Sequence, residues 1–167
     1  MSTPQQPLIV IMGVAGSGKS TVGAMLAERL GVAYVDADDL HPKANVEKMA
    51  SGHPLNDDDR WPWLAKVGET LQDADGTGLV VACSALKHSY RLAILEKAPR
   101  TRFVDLSGPR DLLQERLRGR KGHYMPPALL DSQIETLEPL GPEEPGFTVQ
   151  IDQAPEQIVD EIQATLG

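Results

Sequence analysis

The stretch "LIVIMGVAGSGKSTVGAMLAERLG", residues 8–31, decides the fold. It opens on an unbroken apolar run, the pattern of a strand buried on both faces. It ends on an amphipathic stretch, 20–31, that puts Val22, Met25, Leu26 and Leu30 on one helical face, with Gly31 placed to stop the helix. Between the two lies "GVAGSGKS", Gly13 to Ser20, which fits the pattern of Gly, four residues, then Gly-Lys-Ser/Thr. Gly13, Gly16 and Gly18 let successive backbone N–H groups turn inward and form an anion nest, and the helix adds its positive end. Lys19 supplies a mobile point charge for β- and γ-phosphates, and the Ser20 hydroxyl is a hard oxygen suited to Mg²⁺. The candidate nucleotide-binding residues are therefore Gly13, Val14, Ala15, Gly16, Ser17, Gly18, Lys19, Ser20 and Thr21.

Outward from this cradle, short β-rich runs alternate with amphipathic stretches. Strands are expected at 8–13, 32–36, 78–84, 102–108 and 147–152, and helices at 20–31, 62–74, 89–98, 109–120 and 155–167. Pro62 is expected in the first turn of its helix. This alternation predicts an α/β fold: a five-stranded parallel sheet with helices on both faces, and ligands at the carboxyl ends of the strands. Two segments are left over, 40–61 and 118–146, placed where substrate loops and lids grow. A length of 167 residues suits one domain, with a substrate-loop region at about 38–62 and a lid region at about 116–146.

The net charge of −8 argues against nonspecific nucleic-acid binding, which needs a basic face. No apolar run approaches the roughly 20 residues that span a membrane, and the first residues lack a signal-peptide pattern. The single cysteine, Cys83, excludes an internal disulfide and is consistent with a reducing, cytoplasmic setting. The four histidines lack zinc-ligand spacing.

"VDADDLHP", 35–42, crowds Asp36, Asp38 and Asp39 at the end of the second strand. A metal–phosphate centre beside them would relieve their repulsion. Asp36 is the candidate holder of a Mg²⁺-bound water, paired with Ser20 as the metal site. Asp38, pointing the same way on an extended chain, is the candidate for an acceptor hydroxyl and its proton. Asp39 reads as a cap of the following turn. No Asn/Thr-Lys-x-Asp motif marks a GTPase, and no Leu-Ser-Gly-Gly-Gln segment marks an ABC-type ATPase. What remains at this length is a small kinase with a P-loop kinase fold.

"GVAGSGKST", "DADDLHPKANVEKMASGHPLNDDDRWPWL", "ACSALKHSYR" and "RKGHYMPPALLDSQIETLEPL" together resemble gluconokinases of the small P-loop type, over about residues 9 to 152. The related shikimate kinases share the glycine loop and the Asp-x-Asp. They carry a glycine triplet after the third strand, where this chain has "ACSALK". The resemblance implies ATP and Mg²⁺, D-gluconate as phosphoryl acceptor, 6-phospho-D-gluconate as product, and a homodimer.

A linear sugar acid needs a cationic clamp and many hydrogen-bonding groups. Arg60 is the first choice for its carboxylate, with a salt bridge to Asp57 or Asp58 as the structural alternative. Lys87 is placed to reach the same pocket. Ser84 suits either substrate or a helix cap. His41 and His53 suit either a ligand or a loop hydrogen bond, and Lys48 lies in the same segment. Trp61 and Trp63 read as packing anchors. In "RLRGRKGHYMP", 116–126, Arg116, Arg118, Arg120 and Lys121 surround two glycines, the composition of a lid that closes over phosphates. Spacing does not choose among Arg118, Arg120 and Lys121. The resemblance implies Arg116 against adenine and Arg120 as the lid arginine, which makes Lys19, Asp38 and Arg120 the candidate catalytic set. The remaining rivals are another small-molecule kinase, of shikimate or nucleotide type, and an ATP-binding regulatory module without chemistry.

Overall fold

The computed structural model describes residues 6–53, 55–118 and 127–166. Five strands, β1 (Leu8–Met12), β2 (Ala33–Asp36), β3 (Leu79–Ala82), β4 (Arg102–Ser107) and β5 (Gly146–Gln150), form one sheet in the order β2-β3-β1-β4-β5. Every pairing is parallel. The helices among the described residues are α1 (Lys19–Leu30), α2 (Lys43–Ala50), α3 (Asp57–Asp73), α4 (His88–Lys97), α5 (Arg110–Arg118), α6 (Pro127–Thr136) and α7 (Pro155–Leu166). A 3-10 turn, Ala37–Leu40, follows β2.

The alternation along β1 explains both layers. Ile9 and Ile11 face a core built with Val22, Leu26, Leu113 and Ile158, from α1, α5 and α7. Leu8, Val10 and Met12 face the opposite core, with Leu64, Val67, Leu71 and Ile94 from α3 and α4. All five residues of β1 are buried, so the strand has no polar face to spare. Truncating a residue such as Leu64 to alanine costs about 2–5 kcal/mol by lost transfer energy and cavity formation.

The structure corrects three local expectations. The third helix begins at Asp57, not in the turn around Pro62, because Asn56 caps it: its side chain accepts from the Asp59 N–H at 2.9 Å while Asp59 accepts from the Asn56 N–H at 2.9 Å. That capping box lies upstream of Pro62, which becomes an interior residue tolerated near the helix start. The segment 40–61, expected as loop, holds α2 as well. The chain after Asp36 is not extended. Asp36 caps the turn by accepting from the Asp38 N–H at 2.9 Å, so the capping role expected of Asp39 belongs to Asp36.

β4 also carries a polar liability. Asp105 is buried, and its Oδ1 has no hydrogen-bond partner among the described residues. Burial raises its pKa, and the charge of Arg91 only partly opposes this. A raised carboxyl pKa contributes stability that is complete below the unfolded value and is lost as pH rises through the folded value. Asp105→Asn should therefore raise the melting temperature at pH 8 by about 2–4 °C, equivalent to about 1 kcal/mol, with the gain shrinking as pH falls toward 5. A calorimetric series in which the variant melts lower at pH 8, or keeps a constant gap, would contradict this.

Candidate active site

The glycine loop leaves β1 with Gly13 at φ +143°, where a Cβ would stand 2.8 Å from the Leu106 carbonyl oxygen. At Gly16, φ +85°, a Cβ would stand 2.9 Å from the Leu113 carbonyl oxygen. Both positions need glycine for conformation and for close approach to backbone. The Gly13 N–H donates to the Ser84 carbonyl at 3.3 Å, tying the loop to the segment after β3. Lys19 Nζ folds back onto the Val14 carbonyl at 3.1 Å.

A cleft of about 640 Å³ opens over the carboxyl ends of β1, β2 and β3. On one side stand Ala15, Gly16, Gly18, Lys19, Ser20 and Thr21 of the loop and of α1's first turn. Asp36 and Asp38 line the cleft too, with Ala82, Cys83 and Ser84 from the end of β3. The carboxylates reach the cradle although β3 separates β2 from β1, because α1 brings Ser20 across. Ser20 Oγ lies 3.4 Å from Asp36 Oδ2. Partial burial in the cleft and then the Asp36 charge push the Asp38 pKa up, with His41 and Lys19 opposing. Cys83 forms part of the wall, and burial pushes its thiol up to about 12, leaving it a neutral packing group. Gly13, Val14 and Ser17 do not line the cleft; they support it from behind, with Val14 and Ser17 buried.

Val22, Leu117, Pro155 and Ile158 add apolar side chains to the wall of the cleft. Arg116 also lines the cleft, its guanidinium donating to the Ile151 carbonyl at 2.5 Å. A flat cation in a wall that also carries apolar side chains suits a purine ring.

The acceptor-side candidates form a neighbouring cluster outside the lining of that cleft. Arg60 and Lys87 both meet Asp57, at 3.2 and 3.6 Å, so of the two expected partners for Arg60 it is Asp57 that pairs with it. His41 stacks on Trp63, ring centroids 4.2 Å apart, and meets Asn45 through Nδ1. Burial and the Arg60 charge lower its pKa, against the pull of Asp38, so His41 sits within the field of both. Lys48 pairs with Asp59 at 2.6 Å, and His53 bonds Ser51 on the exposed surface. Trp63 is an anchor, its indole donating to the Ala37 carbonyl at 2.7 Å. Trp61 is not: it is 38% exposed and meets Tyr90 edge-on. Ser84 does not cap α4, whose N-cap is Lys87. Arg120, Lys121, His123 and the Arg118 side chain lie outside the described residues.

Two residues escaped the sequence reading. Arg91 on α4 is 1% exposed; its guanidinium grips both Glu144 oxygens, at 2.9 and 3.0 Å, and donates to the Ala85 and Glu138 carbonyls. Burial alone would raise the Glu144 pKa, but hydrogen bonds from Arg91, His88 and the Gly141 N–H bring it below the ordinary value. This clamp ties the segment after α6 to the loop 84–88. Gln133 on α6 accepts from the Ala15 N–H at 2.7 Å, placing an amide oxygen on the glycine loop.

The chain matches the family model described as "AAA domain" over residues 8–140. It is 46% identical to a probable gluconokinase of Xenopus tropicalis, covering 93% of this chain and 91% of that protein. Identity to the thermoresistant gluconokinase of Escherichia coli (strain K12) is 45%, covering 91% of this chain and 89% of that protein. The chain belongs to the gluconokinase family. The crystal structure of a gluconokinase from Sinorhizobium meliloti 1021 superposes with a TM-score of 0.86, at 48% identity, covering 96% of this chain and 91% of that one. The five-stranded parallel sheet, with its glycine loop between β1 and α1, is a P-loop kinase fold.

Gln133 offers a direct check on the site's geometry. Gln133→Ala removes the acceptor of the Ala15 N–H, a bond worth about 1 kcal/mol. Hydrogen exchange at that amide, followed by NMR in the nucleotide-free protein, should accelerate about fivefold to tenfold. Unchanged protection would show that the amide relies on another partner.

Proposed function

We infer that the chain is a gluconokinase that transfers the γ-phosphoryl group of ATP to D-gluconate, giving ADP and 6-phospho-D-gluconate. The observation that carries this reading is the convergence of Lys19, Ser20, Asp36 and Asp38 on one cleft at the carboxyl ends of the strands, in a chain of this family. The reading takes the chain as one kinase domain, with ATP as donor, Mg²⁺ as its metal, a homodimeric assembly and a cytoplasmic location. The last two rest on the family resemblance and the unpaired Cys83.

The donor set fits a small hard cation. Ser20 and Asp36 bring a hydroxyl and a carboxylate oxygen together at 3.4 Å, the hard oxygen donors that Mg²⁺ takes directly or through its waters. Among the described residues no cluster of three or more His, Cys, Asp or Glu offers a full protein cage. The fit is thus to a metal that keeps waters and phosphate oxygens. When bound, it neutralises charge on the β- and γ-phosphates.

Lys19 leaves the Val14 carbonyl to meet the phosphates. Backbone N–H groups of Gly16, Gly18, Lys19 and Ser20 hold their oxygens, and Arg116 covers adenine. Arg60 and Lys87 receive the acceptor carboxylate, with His41 beside them, which directs the far hydroxyl toward Asp38. That oxygen attacks the γ-phosphorus, the bond to the β–γ bridging oxygen breaks, and the hydroxyl proton passes to Asp38. Arg120 completes the catalytic set as the lid cation.

Asp38→Asn should lower kcat with gluconate by about 100-fold or more while leaving ATP affinity within about twofold, since the base acts on the transition state and not on nucleotide binding. Coupled ADP detection across gluconate, shikimate and nucleoside monophosphates checks the substrate. Turnover of shikimate or a nucleotide without gluconate would end the assignment, and an Asp38→Asn enzyme with unchanged kcat would end the role of Asp38.

A further inference from the structure

Asp57, Arg60, Lys87 and Tyr90 come from three elements: the first turn of α3, the loop after β3, and α4. Asp57 Oδ1 accepts from the Tyr90 hydroxyl at 2.6 Å and from Arg60 at 3.2 Å, while Lys87 Nζ stands 3.6 Å from Oδ2. Arg60 also donates to the Tyr90 hydroxyl at 3.3 Å. The guanidinium and the ammonium lie 5.8 and 5.5 Å from the centre of the Tyr90 ring. The exposed Trp61 closes one side, edge-on to Tyr90.

Two cations this close repel, and each is a long side chain with much rotamer freedom to lose. One carboxylate between them relieves the repulsion, and the tyrosine ring face attracts both. The set carries two positive charges and one negative, an excess of one. Arg60, Lys87 and Asp57 keep 33%, 35% and 43% of their side-chain surface open, so the remaining N–H groups are available to a solute. A solute carboxylate brings the one negative charge that completes the balance. A neutral hydroxymethyl group brings none and leaves the excess charge unpaired.

We propose that Asp57 and Tyr90 are positioning residues that hold Arg60 and Lys87 as a recognition site for a single carboxylate, and so set the enzyme's preference for a sugar acid over the matching neutral polyol. This rests on the proposed gluconate-phosphorylating activity and adds the residues that make its substrate choice. The hydrogen bond from Tyr90 first, then the two cations, holds the Asp57 carboxyl below the ordinary carboxylate range, so its charge is constant through assay conditions near neutrality. His41 ends the 3-10 turn that holds Asp38 and stacks on Trp63 of α3, the helix whose first turn carries Asp57 and Arg60, so the two sites are joined through these two rings. Carboxylate recognition and phosphoryl acceptance thereby fall at two ends of one extended ligand.

The test compares D-gluconate with D-glucitol, which replaces the carboxylate by a hydroxymethyl group, in the wild type, Asp57→Asn, Tyr90→Phe and Asp57→Glu. For Asp57→Asn and Tyr90→Phe, KM for gluconate should rise about tenfold while kcat and KM for ATP stay within about threefold. Turnover of glucitol, assayed at high concentration, should not change, so the preference for acid over polyol falls about tenfold. Asp57→Glu should restore part of it. Equal losses for both acceptors, or an unchanged KM for gluconate in a folded variant with normal ATP kinetics, would overturn the proposal. If the wild type phosphorylates a different hydroxy acid and not gluconate, the substrate assignment fails. The same ratio, measured with that acid and its neutral alcohol, then decides the role of Asp57 and Tyr90.

Discussion

The structure depends on keeping negative charge beside negative charge. In the proposed reaction, phosphates sit in the glycine loop while two carboxylates line the same cleft. An acidic chain satisfies this only by concentrating donors at that point. It uses the loop residues that line the cleft, the positive end of α1, and Lys19. The buried β1 and the close approach of Gly13 and Gly16 to neighbouring carbonyls fix the loop in that shape. With the loop fixed, α1 carries Ser20 to Asp36, and the 3-10 turn capped by Asp36 holds Asp38 beside it.

A second set of contacts locks the surrounding loops to this centre. The loop 84–88 receives the Gly13 N–H through Ser84, Arg91 through Ala85, and the Glu138 N–H through Leu86. It also presents Lys87 to Asp57. Ala85 adopts φ +43°, a strained conformation for a residue with a Cβ, while its carbonyl faces the buried Arg91 guanidinium. The glycine loop, the acceptor cluster and the segment after α6 thus share one short piece of chain. Removing the Arg91 guanidinium would leave Glu144 buried without its main partner, a far larger disturbance than losing a surface pair.

Much of this was legible in the sequence, for local reasons. Apolar runs and period-3.6 patterns marked all five strands and α1, α4, α5 and α7 within a few residues, because burial writes itself into hydrophobic spacing, whereas α2 and α6 fall in the two segments left over as loop and lid. The glycine loop and the Asp36–Asp38 pair were legible because their chemistry demands particular residue types at short range. The start of α3 was misplaced because Pro62 is a strong helix-start signal and competed with the Asn56–Asp59 box upstream. The extended path to Asp38 failed for a related reason: Asp36 prefers to cap a turn. The strand order, the Gln133–Ala15 bond and the Arg91–Glu144 clamp were invisible, since each joins residues distant in sequence and leaves no periodic trace. Arg91 gave one faint sign, a cation on the inward side of a helix between Tyr90 and Ile94.

The central claim is that the Asp36–Asp38 pair faces the terminal phosphate across room for one hydroxyl. A crystal structure with Mg²⁺, a non-hydrolysable ATP analogue and D-gluconate tests it most directly. The account predicts Ser20 and Asp36 at the metal, directly or through water, and an acceptor hydroxyl within about 3 Å of Asp38 and in line with the γ-phosphorus. Carboxylates turned into solvent, with the sugar acid held elsewhere, would contradict it.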